Sequence, residues 1–228
     1  MRKLIAAEFI TLDGVIQAPG GATEDTDGGF AHGGWTHPYW HNDIGAHFFE
    51  AFSRADALLL GRKTWQIHGG AFEPMKAGDT FGDAMNEIRK YVASTTLKSA
   101  AAWRNSTLIG GSVVEEVRRL KEQAGKDILI DGSSVLLHTL IESDLVDEYK
   151  LHVYPLVLGS GKQMFPRGKR LALTLVKSTA LPTGVVFQEY ARARERILSP
   201  RAQGVALQAS GPTTVVLTVF RLCSFLRA

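Results

Sequence analysis

The chain has 228 residues, of which 45% are hydrophobic, and this is enough apolar material for one domain with a large buried core. Its formal net charge of +3 is unevenly placed, because the stretch after residue 191 contains six arginines and one glutamate. That stretch carries +5 and residues 1–191 carry −2, so the body of the protein lacks the charge of a polyanion-binding domain. We therefore predict no nucleic-acid partner.

The cysteine content and the apolar segments indicate in which cellular compartment the protein is expected. Cys223 is the only cysteine, so the chain forms no internal disulfide and no multi-cysteine zinc site. The apolar run near the N-terminus is interrupted by Glu8 and is too short for a signal-peptide core. The run at 215–226 contains Arg221 and is shorter than the roughly 20 residues of a membrane helix. The sequence predicts a cytoplasmic protein with no membrane association.

Segments rich in β-branched and apolar residues alternate with segments of helical period, which is the pattern of a sheet flanked by helices. The predicted strands are 3–11, 57–60, 90–94, 106–109, 127–130, 148–157, 172–178 and 185–190. The predicted helices are 43–54, 84–89, 114–123 and 135–142, with capping-box sequences at 80–83 and 112–115. An α/β domain with a central sheet of about eight strands is predicted for residues 1–191.

Two segments do not follow this alternation. Residues 17–37 contain many glycines and few aliphatic side chains, which predicts a long mobile loop of the kind that often covers a site. An ordinary disordered insertion is the alternative. After Tyr190 the alternation of strands and helices stops, and residues 192–228 are predicted to be a basic C-terminal extension outside the fold.

Three predicted strands end in turns suited to phosphate groups. At 60–65 a strand ends in glycine and is followed by two cations and a hydroxyl, although exposed cations on a surface turn are the alternative. At 131–136 a turn of small residues opens a helix, which brings free N–H groups and the positive end of the helix dipole to one point. A serine that merely caps that helix is the alternative there. At 94–96 a strand ends in three hydroxyl residues.

Taken in chain order, these features resemble the dihydrofolate reductase superfamily. The resemblance rests on the strand at 4–9, Thr11–Gly14, Leu60–Trp65, Ser94–Thr95 and the unit at 127–136. It is closest to the branch containing the reductase domain of bacterial riboflavin biosynthesis and its stand-alone relatives, which the run at 145–162 also resembles. The resemblance covers residues 1–191. It implies a three-layer α/β fold with a mainly parallel sheet.

The resemblance also implies a function. It implies NADPH-dependent hydride transfer to a small heterocyclic substrate, pterin- or aminopyrimidine-like, or to a conjugated one. The residues that match the family's cofactor contacts are Gly61, Arg62, Lys63, Thr64, Ser94, Thr95, Gly132, Ser133 and Ser134. Where the family usually has paired glycines, this chain has Asp131 before Gly132, and a carboxylate near a pyrophosphate is unfavourable unless it points away. A non-catalytic dinucleotide-binding protein with the same fold is the alternative.

Reduction of a C=N bond also needs a proton at nitrogen. In dihydrofolate reductases a buried carboxylate on the helix after the first long loop assists this step. The family spacing back from Gly61 places it near Gly45, where Asp43 is the closest acid and Glu50 the next. Asp13 resembles a substrate-facing acid of the riboflavin branch. We therefore name Asp13 and Asp43 as catalytic candidates, with a helix cap or dipole partner as the alternative for Asp43.

Two further expectations concern metals and partners. His37 and His41 have i, i+4 spacing, but Pro38 disfavours a regular helix between them, so no metal site is predicted. The strands at 148–158, 172–178 and 185–190 leave a sheet edge or face that needs cover, and relatives in the riboflavin branch are commonly dimeric there. We expect a homodimer. A face covered by the tail of a monomer is the alternative.

Overall fold

A computed structural model describes residues 1–193 except 76, 77 and 79, and in this part of the chain helices cover both faces of one sheet. Its strands are β1 (Leu4–Thr11), β2 (Ala55–Gly61), β3 (Arg89–Ala93), β4 (Ser106–Ile109), β5 (Asp127–Ile130), β6 (Glu148–Tyr154), β7 (Leu173–Ala180) and β8 (Val186–Arg192). Its helices are α1 (Asn42–Ser53), α2 (Arg62–Phe72), α3 (Thr80–Glu87), α4 (Val113–Glu122) and α5 (Ser134–Glu142). Short 3-10 helices lie at Asp27–Gly29 and His37–Tyr39.

The strand order is β4-β3-β2-β5-β1-β6-β8-β7. The first six strands in this order are parallel, and β8 pairs antiparallel with both β6 and β7. This confirms the predicted α/β fold with a mainly parallel sheet of eight strands. Because the carboxyl ends of parallel strands meet at one edge, the turns after β2, β3 and β5 lie close together there.

Side-chain alternation along β1 explains the two cores. Leu4 and Ala6 pack with α4 and α5 on one face of the sheet. Ile5 packs on the other face with residues of α1, α2 and α3. Successive residues of a strand point to opposite faces, so one strand that is buried at all but one residue supports both helical layers. The result is the predicted three-layer arrangement.

The largest differences from the predicted elements lie in three places. Helix α2 was not predicted, because residues 61–65 were interpreted as a turn and Gly69-Gly70 weaken the helical pattern. Helix α3 starts at Thr80 rather than at 84, so the capping-box sequence at 80–83 lies inside it. Strand β6 ends at Tyr154, before Pro155, since proline has no N–H to donate to a sheet.

The far edge of the sheet is β7, whose Leu175 and Val176 are exposed. The predicted homodimer stays a prediction. Strand β8 continues through Arg192, which is one residue beyond the predicted domain limit. The Arg192 side chain pairs with Asp144 at 3.1 Å. The rest of the predicted extension, from residue 194, lies outside the described residues. Among the helices that the structure describes, none has the length and apolar character needed to cross a bilayer.

Candidate active site

A cavity of about 950 Å³ opens at the carboxyl edge of the parallel strands. Its walls come from β1, β2, β5, helices α1, α2, α3 and α5, and the loop at 16–27. The structure brings all the predicted cofactor residues to this cavity: Gly61, Arg62, Lys63, Thr64, Ser94, Thr95, Gly132, Ser133 and Ser134. They come from three separate segments of the chain. The volume lies within the usual range for small-molecule sites.

The turns after β2 and β5 meet backbone to backbone. The Gly61 amide donates to the Gly132 carbonyl at 3.3 Å. A Cβ on Gly61 would lie 2.4 Å from Ser133 Oγ, and a Cβ on Gly132, whose φ is +67°, would lie 2.8 Å from Thr64 Oγ1. Only glycine fits such an approach. We call this region, defined by Gly61, Gly132 and Ser133, the glycine-turn end of the cavity.

The start of α5 leaves its first polar groups for a ligand. Ser133 is the N-cap residue, yet its side chain makes no capping hydrogen bond. By contrast, Ser112 caps α4, and its Oγ accepts from the Glu115 amide at 3.3 Å. The alternative interpretation of Ser133 as a side-chain cap therefore lacks its hydrogen bond. Free N–H groups at a helix start are a suitable site for an anion.

The two predicted cations have different surroundings. Arg62 Nη1 donates to Gln66 Oε1 at 3.0 Å and stays without a carboxylate partner among the described residues. Lys63 Nζ lies 2.6 Å from both Asp25 and Asp27 of the long loop. Lys162 contacts the same two acids, and hydrogen bonds from Lys162 and then Lys63 lower the pKa of Asp27 to about 2. Arg62 is thus the cation available to a phosphate.

The turn at 94–97 is closed by its own serine. Ser94 Oγ accepts hydrogen bonds from the amides of Thr96 at 3.1 Å and Leu97 at 3.0 Å. This is the local turn that serine side chains favour, and it fixes the backbone after β3. Ser94, Thr95 and Thr96 all line the cavity.

Neither proposed catalytic acid is among the described residues that line the cavity. The Asp13 carboxylate accepts from the Thr11 hydroxyl at 2.6 Å and the Gly159 amide at 2.8 Å. Burial alone would raise the pKa of Asp13, but these hydrogen bonds lower it. Asp13 therefore ties the turn after β1 to the segment after β6.

Asp43 lies in the first turn of α1, 3.5 Å from His41 Nδ1, with 58% of its side chain exposed. His41 is the N-cap residue, so the position of Asp43 fits the dipole-partner interpretation. Gly45, where the family spacing places an acid, does line the cavity. Among the described residues of α1, none that lines the cavity carries a carboxylate.

Glu8 is a lining residue that the sequence analysis did not assign to the site. It projects from β1, is 6% exposed, and its Oε1 accepts from the Gly132 amide at 2.7 Å. Burial, and then the charge of Asp131, raise the pKa of Glu8 well above its ordinary value, although the Gly132 hydrogen bond opposes this. The surroundings of Glu8, next to the glycine-turn end, therefore favour the neutral form of its carboxyl group. The only signal in the sequence was a lone acid inside an apolar strand.

His68 and Asp131 form a hydrogen-bonded pair in the wall of the cavity. Nε2 of His68, on α2, lies 2.8 Å from Oδ2 of Asp131, at the end of β5. Burial alone would lower the pKa of His68, but the hydrogen bond and charge of Asp131, together with the charge of Glu24, raise it. The Asp131 carboxylate that the sequence analysis found unfavourable is thus turned toward a cation. Thr64, His68 and Phe72 recur every four residues along α2, a pattern visible only once the helix is recognised.

Beyond His68 the cavity wall is aromatic. Phe72 lies 5.6 Å from Phe81 of α3, and Phe81 lies 6.0 Å from Phe52 of α1, measured between ring centroids. Phe49 and Trp40, which are 53% and 55% exposed, also line the cavity. We call this region, defined by Phe52, Phe72 and Phe81, the aromatic end of the cavity. Within residues 1–75, 78 and 80–193, no three His, Cys, Asp or Glu side chains are grouped to hold a metal ion.

This fold, with its cavity at the carboxyl edge of the sheet, defines a protein of the dihydrofolate-reductase-like class. The chain belongs to the RibD C-terminal domain family, whose model matches residues 2–187. It is 31% identical over 189 residues to the uncharacterized protein YyaP of Bacillus subtilis (strain 168), covering 81% of this chain and 92% of YyaP.

Solved structures also share the fold, and two of them illustrate the similarity. A putative riboflavin biosynthesis protein from Shewanella sp. PV-4 has a TM-score of 0.65 and 21% identity, over 84% of this chain and 99% of that chain. Dihydrofolate reductase from Enterococcus faecalis, complexed with NADP(H) and RAB-propyl, has a TM-score of 0.54 and 17% identity, over 84% of this chain and 97% of that chain. At these identities the similarity shows the fold alone.

Proposed function

We propose that this protein is an NADPH-dependent reductase that transfers hydride to a small heterocyclic or conjugated compound bound in the cavity. The observation that carries the proposal is the meeting of three phosphate-suited turns, far apart in the sequence, at one cavity edge. Family membership supports reductase chemistry, and a protein of the same fold is described as a complex with NADP(H).

The residues present fit a dinucleotide. Gly132, Ser133 and Ser134 would hold the pyrophosphate, because the positive φ of Gly132 brings this turn close to Thr64 of α2 and the start of α5 offers free N–H groups. Arg62, with Ser94 and Thr95, would hold the 2′-phosphate. When bound, NADPH would supply the hydride.

Cofactor preference tests this proposal. We expect NADPH to bind more than tenfold more tightly than NADH, since a charge-assisted contact to the 2′-phosphate contributes about 1.5–3 kcal/mol. Arg62→Ala is expected to remove most of that preference and leave NADH binding unchanged. Isothermal titration of each variant with both cofactors provides the measurement.

The matched control is Arg118→Ala on α4, where the arginine pairs with Glu115 on an exposed helix face. It is expected to bind both cofactors as the unsubstituted protein does. Equal dissociation constants for NADPH and NADH would refute the proposal. Tight NADPH binding without cofactor oxidation on any substrate would favour the alternative, a non-catalytic dinucleotide-binding protein.

A further inference from the structure

The charged groups around the cavity are already paired in a way that limits the substrate. Lys63 and Lys162 face Asp25 and Asp27. Arg62 follows Gly61, so it belongs to the glycine-turn end. A substrate carrying a phosphate or carboxylate would therefore find no unpaired cation among the described residues of the aromatic end.

A substrate with a positively charged or amidine-like edge would also find no free carboxylate partner here. Such an edge is usually held by a carboxylate that accepts two parallel N–H bonds. Asp131 already accepts from His68 at 2.8 Å, and Glu8 accepts from the Gly132 amide. Asp25 and Asp27 face Lys63 and Lys162, and the carboxyl group of Glu24, whose pKa is raised by burial, accepts from the Gly20 amide. The aromatic end thus favours an uncharged compound.

The shape and chemistry of the aromatic end favour a flat compound. Rings from α1, α2 and α3 form a continuous wall through the 5.6 Å and 6.0 Å contacts of Phe81. Exposed apolar side chains at the rim, Trp40 and Phe49, are the kind of surface that a bound apolar ligand covers. Ring systems stack favourably on such side chains.

His68 adjoins this wall, with its ring centroid 5.8 Å from that of Phe72. Its Nε2 is held by Asp131, so Nδ1 is the nitrogen that can donate toward a bound compound, and 20% of the side chain is exposed. A partly buried imidazolium beside a fixed carboxylate is a suitable general acid. The acids facing it are Asp131 and Glu24, and the charge of Asp131 also raises the pKa of Glu8.

We propose that the aromatic end receives a flat, uncharged compound whose C=O or C=N bond is conjugated to a ring, and that His68 protonates its heteroatom. This inference rests on the proposed NADPH-dependent reduction. NADPH, which Arg62, Gly132, Ser133 and Ser134 would hold, would supply the hydride for the new C–H bond, and the π electrons of the double bond would move to the heteroatom. That atom takes the proton from His68 Nδ1, whose N–H electron pair stays on the ring. NADPH becomes NADP⁺, and His68 regains its proton from water.

The test uses naphthaldehyde as the flat uncharged probe and the same aldehyde bearing a ring carboxylate as its charged match. We expect saturable, NADPH-dependent reduction of naphthaldehyde and a kcat/KM at least tenfold lower for the carboxylate. His68→Ala is expected to lower kcat by about 10²- to 10⁴-fold, with NADPH affinity unchanged. His32→Ala, at an exposed histidine outside the cavity lining, serves as the control.

Asp131→Asn supplies an independent readout, because Asp131 is a positioning residue. The reduction rate should fall as pH rises through the pKa of His68, and this fall should occur at lower pH in the variant. If His68→Ala does not fold, this pH profile and an NMR titration of the His68 ring decide the matter. Full activity in His68→Ala, equal use of both aldehydes, an unmoved pH profile, or no naphthaldehyde reduction would overturn the inference.

The two proposals fail differently. If the unsubstituted protein does not bind NADPH, the proposed function itself is refuted. Retained NADPH binding, with any of the contrary results above, refutes the inference alone.

Discussion

The glycine-turn end and the aromatic end of the cavity are built from different parts of the chain. At the glycine-turn end, backbone meets backbone, and an added Cβ at Gly61 would lie 2.4 Å from Ser133 Oγ. At the aromatic end, side chains from three helices meet, and their contacts span 5.6–6.0 Å between ring centroids. A backbone-built site has one fixed shape, whereas a site built by side chains changes with each substitution. We infer that the first end determines the cofactor and the second the substrate.

The largest expected effect comes from a substitution in the backbone-built glycine-turn end, at Gly61. Gly61→Ala places a methyl group against Ser133, including its backbone nitrogen at 3.2 Å, so the turn after β5 has to move. We expect NADPH affinity to fall at least tenfold and the free energy of unfolding to fall by about 1–3 kcal/mol, the usual cost of overpacking. Titration calorimetry and denaturant unfolding measure the two effects.

Gly70→Ala is the matched control for this change. Gly70 lies in α2, and a Cβ there meets nothing within 4 Å. Alanine is the better helix former, so this variant should be as stable as the unsubstituted protein or more stable by up to about 1 kcal/mol. NADPH affinity that is unchanged in Gly61→Ala would show that the close approach of the two turns is not part of the cofactor site.

The difference between a backbone-built end and a side-chain-built end also explains how well the sequence predicts each of them. Gly61, Gly132 and Ser133 were identified because a glycine directly after an apolar strand is a local signal. Phe52, Phe72 and Phe81 lie on helices far apart in the chain, and only the packing of those helices on one face of the sheet brings them together. His68 was missed because α2 was missed. Glu8 pairs with Leu151 of β6, and its carboxyl reaches the Gly132 amide only because β5 lies on the other side of β1, which no local pattern shows.

A smaller effect concerns the proton of Glu8 beneath the glycine-turn end. The raised pKa means that the folded protein keeps this proton at pH values where the unfolded chain has lost it. Stability from this group is therefore greatest below the ordinary glutamate pKa of about 4.5 and is lost as pH rises through the folded-state pKa. Each tenfold difference in proton affinity corresponds to about 1.4 kcal/mol.

Glu8→Gln removes this titration, so the variant should lose less thermal stability than the unsubstituted protein between pH 5 and pH 8. The expected difference in Tm is a few degrees, since about 1 kcal/mol shifts Tm by roughly 2–4 °C in a domain of this size. Glu122→Gln, at an exposed position on α4, is the control and should follow the unsubstituted protein. Parallel melting curves for Glu8→Gln and the control at both pH values would contradict the buried neutral acid.

Hydrogen–deuterium exchange of the full chain, with and without saturating NADPH, tests the assignment of the two ends most directly. The starts of α2 and α5 and the turn after β3 line the cavity where the cofactor would bind, so peptides covering 61–64, 94–96 and 132–135 should all be protected together when NADPH binds. Peptides of the aromatic end, including 49–53, should change much less until a substrate analogue is added. NADPH binding that leaves these three turns unprotected, or that protects 49–53 instead, would contradict the account.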